Sequence, residues 1–193
     1  MIAEGPEALG ELVDVILHES VHATLYIKGQ SSFDESLASF VAEKMTIQYL
    51  EKTRGPHSSE EQAYIKTEDQ SRKIQKKFHE AYVQLSKLYS LPASEKSDGE
   101  KLREKQAILA ALKAELKYRR DINNATLIQY RTYNTSREDF EKLFKACGSN
   151  WQNFLNTLKT LTPSSFQKPQ QEDLSPVLGV LVQNGCRGLT PDS

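Results

Sequence analysis

Leu17-His18-Glu19-Ser20-Val21-His22 and, a little further on, Phe33-Asp34-Glu35-Ser36 are the two stretches around which the chain is organised. His18, Glu19 and His22 form an H-E-x-x-H pattern. On a helix, positions i and i+4 share one face, one turn apart. Two imidazoles placed so can ligate one Zn²⁺, with Glu19 beside them to handle a metal-activated water. A zinc centre of this kind needs a third protein ligand. Glu35, thirteen residues after His22, is the candidate.

The surrounding residues support the helix. Leu9, Leu12, Val13, Ile16 and Leu17 recur at helical spacing, and the pattern runs to about Tyr26. Pro6 suits a first turn, and Glu4 and Glu7 suit the positive end of the helix dipole. Gly29-Gln30-Ser31-Ser32 signals a turn. Ser32 or Asp34 can cap a second helix carrying Leu37, Phe40, Val41, Met45 and Leu50, which ends before Gly55-Pro56. Two helices joined by a short turn bring Glu35 back over the first. At the start of its helix a carboxylate is also favoured by the macrodipole, which keeps it ionised for metal binding.

Helices continue outward from this pair. Ser58 or Ser59 with Glu61 or Gln62 reads as a capping box opening a long third helix, with Ile74, Phe78, Ala81, Leu85 and Leu88 at near-heptad spacing. Leu91-Pro92 stops it. Ser97 with Glu100 opens a fourth helix, carrying Leu102, Leu109, Leu112 and Leu116 and continuing to about Tyr133. Helices three and four read as an antiparallel hairpin. Ser136 caps a short helix with Phe140, Leu143 and Phe144, and after Gly148 another carries Trp151, Phe154, Leu155, Leu158 and Leu161. With no strand period visible, the fold class expected is all-α: a zinc-motif helix and a glutamate helix packed with a long hairpin and two short C-terminal helices. Residues 1–162 form the expected domain. Residues 163–193, rich in Pro, Gln and Ser with one apolar cluster at Val177 to Val182, read as a loosely ordered tail with one short docked segment.

In the chemistry these residues suggest, zinc supplies an acidic water and polarises a scissile carbonyl, while Glu19 takes the proton and passes it to the leaving amine. Asn123, with Asn124 beside it, falls where the stripe of the fourth helix expects an apolar residue. Two readings stand side by side: a polar patch that holds substrate backbone, or an inter-helix amide that fixes register. Tyr133 and Tyr130 are candidates to donate to a tetrahedral oxyanion, and core packing is the commoner role for either. Arg120 (or Arg119) reads as solvent-facing, with pairing to Glu35, Asp34 or a substrate carboxylate as the other possibility. His57 and His79 lie in no ligand pattern.

Composition narrows the partners. Net charge is −1 with no concentrated basic block, which gives no electrostatic footprint for nucleic acid or an anionic membrane. No apolar run reaches the ~18 residues of a membrane span. The N-terminus carries Glu4 and Glu7 and no early Lys or Arg, unlike a secretory signal. Cys147 and Cys186 stand far apart without a C-x-x-C spacing, which suggests a buried thiol and a tail thiol and no disulfide framework. Oligomeric state and localisation leave no trace.

Val15 to His22, then Tyr26, then Phe33-Asp34-Glu35-Ser36-Leu37-Ala38-Ser39-Phe40-Val41 resemble the bacterial "putative aminopeptidase" family, in which an H-E-x-x-H is followed by an F-N-E-S-x-A stretch. Asn123-Asn124-Ala125-Thr126-Leu127, Tyr133, Phe140, Cys147-Gly148, Trp151 and Phe154 match its later N-N-A-x-L…Y…F…G…F signature. The likeness runs from about Leu12 to Leu161. It implies a zinc aminopeptidase of the glutamate-ligand (gluzincin) kind acting on peptides. His18, His22 and Glu35 would be ligands and Glu19 the base, with Asn123, Asn124 and Tyr133 facing the site. Asp34 departs from the family's usual Asn. The family also carries a substantial segment before the zinc helix, often with an export or lipoprotein signal, and that segment is not seen here. The other expectation is therefore a helical interaction domain whose zinc site is structural or idle.

Overall fold

The computed structural model describes residues 5–128, 130 and 136–188. Among them are eight α-helices and no strand, as an all-α chain requires. No helix among them is long and apolar enough to cross a membrane. The chain divides into two units, Met1–Lys66 with Asn134–Ser193, and Thr67–Tyr133.

The first unit opens with α1 (Glu7–Thr24) and α2 (Ser31–Arg54), packed against each other. α2 stops at Gly55, whose φ of +91° favours glycine. Ser58 then starts α3 (Ser59–Ser90) by accepting from the Glu61 N–H at 3.3 Å, while the Glu61 carboxylate accepts from the His57 N–H at 2.6 Å. Later in the chain come α6 (Arg137–Ala146), α7 (Trp151–Leu158) and α8 (Ser175–Gln183). Asn150 caps α7 by accepting from the Asn153 N–H, and Pro176 sits in the first turn of α8, where its missing N–H is not needed. Phe33 and Phe40 of α2 meet Phe140 and Phe144 of α6 and Phe154 of α7 in one buried cluster, with Phe40 stacked on Phe140 at 5.6 Å. Aromatic rings at such spacing hold by offset and edge contacts as well as by burial.

The segment from Pro163 is where the docked piece was expected, and α8 is that piece. Leu174, Val177, Leu178 and Leu181 are buried in the same core. The cysteines correct the sequence reading. Cys147, just after α6, and Cys186, just after α8, are joined by a disulfide with Cα atoms 4.9 Å apart across 39 positions. Separation along the chain is a poor guide to separation in space: α6 and α8 pack together and bring the two residues into bridging range.

In the second unit the later part of α3 pairs with α4 (Asp98–Glu115), followed by α5 (Asn124–Ile128). Lys77 meets Glu115 at 3.0 Å, and the Lys101 ammonium donates to the Leu91 carbonyl at 2.5 Å, so the two helices run antiparallel as expected. Ser97 and Glu100 form the expected capping box, Ser97 N–H donating to the Glu100 carboxylate at 2.9 Å and Glu100 N–H to Ser97 Oγ at 3.4 Å. The buried seam is Phe78, Ala81, Leu85 and Leu88 against Leu112, Ile122 and Leu127. The fourth helix is shorter than the apolar stripe suggested. Lys117 turns left-handed at φ +50°, and Tyr118 N–H reaches back to the Lys113 carbonyl at 3.0 Å, which closes α4.

Candidate metal centre

α1 carries His18 and His22 one turn apart and half-buried, with Glu19 exposed, and Glu35, just past the first turn of α2, meets both imidazoles. Gly10 and Val21 are the buried residues of α1, while His18 and His22 are half-buried. Leu25 and Ile27 bury their side chains in the connector, and Gly29 turns it at φ +84°. The connector is then tied to α2 by Asp34, whose Oδ1 accepts from the Ile27 N–H at 2.9 Å. Asp34 is only 2% exposed and its Oδ2 has no partner among the described residues. Burial pushes its carboxyl above the usual carboxylate range, against the pull of the Ile27 hydrogen bond and of His22. Asp34 therefore faces inward, and its work is to hold the connector.

The outcome is a convergence of three candidate ligand side chains. His18 Nε2 lies 3.1 Å from His22 Nε2; Glu35 Oε2 lies 3.3 Å from His18 Nε2 and Glu35 Oε1 lies 3.5 Å from His22 Nε2. Zinc bonds of about 2.0–2.1 Å at tetrahedral angles put ligand atoms about 3.3–3.4 Å apart, so the donor set and its spacing fit a zinc ion. Two imidazoles and one carboxylate are also the right chemistry for zinc, and three protein ligands leave a coordination position open. The histidine side chains are 23% exposed and that of Glu35 65%, so the centre lies at the surface. Glu19 is exposed and next in sequence to His18.

Asn123 and Asn124 belong to the second unit and are exposed. Asn123 is not a buried-stripe residue, because α4 has already ended. Its Oδ1 accepts from the Thr126 N–H at 3.0 Å, which caps α5. Tyr130 stacks on Phe78 at 4.5 Å and is a packing residue. Arg120 is exposed. Tyr133 lies outside the described residues.

Sequence reasoning missed four supporting residues. Gln30, 2% exposed, donates from Nε2 to the Lys168 carbonyl at 2.9 Å and accepts at Oε1 from the Gln171 N–H at 3.0 Å. The Gln170 N–H adds a bond to the Gly29 carbonyl at 2.8 Å. The stretch 168–171 thus straps the connector that aims Glu35. Gln171 is itself buried and accepts from the Gln167 N–H at 2.8 Å. Nothing local marks these glutamines. Asp14 and Tyr64 are the other two: the Tyr64 hydroxyl donates to Asp14 Oδ2 at 2.5 Å. Asp14 did leave a signal, since it stands four residues before His18.

The profile of the family described as "Putative aminopeptidase" matches residues 6–173. The chain belongs to this family. The match takes in α1, α2 and the 168–171 strap, and stops before α8. Searches of curated proteins and of solved structures found no match.

Proposed function

We propose that the chain is a zinc-dependent peptidase, most simply an aminopeptidase as its family's description says, with His18, His22 and Glu35 as the ligands and Glu19 as general base. The observation that carries this reading is the convergence of the two histidines and Glu35 at 3.1, 3.3 and 3.5 Å. Zinc held there supplies an acidified water and a Lewis acid for the scissile carbonyl. Glu19 takes the proton of the attacking water as its oxygen bonds to the carbonyl carbon. It then delivers that proton to the amine nitrogen as the carbon–nitrogen bond breaks. The ordered connector holds Glu35 in place, so little rearrangement is required of the ligands. The Cys147–Cys186 disulfide supports action in an oxidising compartment.

A second reading has one observation in its favour. The ligand set lies at an exposed surface, and Leu12, Val15 and Ile16 of α1 and Tyr26 of its connector are 55–62% exposed. In that reading the zinc is idle or structural. Zinc stoichiometry followed by cleavage of N-terminally free and blocked peptides separates the two. Glu19→Gln should retain zinc and lose roughly 10²–10⁴-fold in turnover. Zinc binding without Glu19-dependent cleavage would establish the second reading, and cleavage of blocked peptides would make the enzyme an endopeptidase.

A further inference from the structure

Gly10, Asp14, His18 and His22 are spaced four apart, so they form one ridge along α1 that ends at the ligand cluster. The ridge begins with a close approach. A Cβ on Gly10 would fall 2.8 Å from Cβ and Cδ2 of Tyr64, so the bare backbone is what lets the Tyr64 ring lie against α1. Tyr64 is 1% exposed, and from that seat its hydroxyl donates to Asp14 Oδ2 at 2.5 Å. Asp14 and His18 stand four positions apart, which makes their side chains neighbours one turn apart on α1. A half-buried carboxylate is a costly thing to place behind a histidine unless something there favours its charge. Burial pushes the Asp14 carboxyl up, while the Tyr64 hydrogen bond and the His18 imidazole pull it down.

We propose that Asp14, oriented by Tyr64, is a positioning residue for the metal: its charge behind His18 makes that imidazole a better donor and holds the ring toward His22 and Glu35. The inference rests on the zinc reading above. Carboxylates behind metal-bound histidines set tautomer, orientation and basicity, and their loss typically costs about 10–100-fold in metal affinity. The competing account is a simple staple between α1 and α3, with no effect on the ligands.

Zinc dissociation constants, measured by chelator competition on the full chain, separate these accounts when set beside the melting temperature of the metal-free protein. Asp14→Asn should weaken zinc at least ~10-fold. Tyr64→Phe, which removes only the hydroxyl, should weaken it less but in the same direction. Should Asp14→Asn fold poorly, Tyr64→Phe still decides. If both variants lower the melting temperature yet bind zinc as the unaltered chain does, the pair is a staple and the inference falls while the zinc reading stands. If the unaltered chain binds no zinc, both fall together.

Discussion

The α1–α2 pair and the α3–α4 pair are both antiparallel helical hairpins, yet they are held by different means. The connector of the second, residues 91–97, is sealed locally by the Ser97–Glu100 capping box and by Lys101 on the Leu91 carbonyl. The connector of the first, residues 25–30, is held by Asp34 and by a strap some 140 residues away in sequence, through Gln30 to Lys168 and Gln171. A plain hairpin needs only an apolar seam and a stop signal. A hairpin that must aim a carboxylate at two imidazoles needs its connector fixed as well, and that fixing comes from distant chain.

If the seam alone sustains the second hairpin, Phe78→Ala should damage it most. Phe78 is fully buried between Tyr118 and Tyr130, and truncation there should cost about 3–5 kcal/mol. Hydrogen exchange should show the loss within residues 67–133, with zinc binding by the first unit retained. Loss of zinc in this variant would mean that the two hairpins are energetically one body.

The disulfide tests the long-range support of the first hairpin. Closing 39 residues is worth up to about 4 kcal/mol in the chain-entropy account. Paired Cys147→Ser and Cys186→Ser changes, or a reductant, should lower the unfolding free energy by that order. Exchange protection should fall first in α8, which follows the strap. Protection unchanged in α8 would show that its apolar residues suffice to dock it.

Gln30→Ala addresses the strap directly. It leaves the Gln171 N–H and the Lys168 carbonyl without their buried partner, which should cost about 1–3 kcal/mol. Zinc affinity should fall with it, since the connector aims Glu35. An undiminished affinity would show that Asp34 alone orients the second helix.

The contrast also explains what was legible beforehand. The cluster of His18, His22 and Glu35 was readable because spacing on one helix and a carboxylate near the start of the next are local facts. The two capping serines and the seam of the second hairpin were readable for the same reason. The end of α4 was not, because the apolar spacing runs on through Leu116 and only the left-handed turn at Lys117 interrupts it. That early end is what makes Asn123 a cap and leaves the stripe reading without a helix. The disulfide and the glutamine strap were hidden because each joins segments whose proximity exists only once α6, α8 and the 168–171 stretch have docked. Polar residues in a Pro- and Gln-rich stretch look like solvent-facing chain until their backbone partners are known.

The smallest effect tests the locally sealed connector. Ser97→Ala removes the side-chain acceptor for the Glu100 N–H, and loss of such a cap costs about 0.5–2 kcal/mol. The Glu100 carboxylate also accepts from Ser97 Oγ at 2.6 Å, and these contacts hold its carboxyl below the usual glutamate range. In Ser97→Ala the backbone N–H of residue 97 remains for Glu100 to accept from, so the loss should lie toward the low end. It should show as fraying of the first turn of α4 by hydrogen exchange, with Phe78 and Leu112 still protected. If the hairpin instead opens as a whole, the capping box is what sets where α4 begins, and the second connector is as dependent on a few polar contacts as the first.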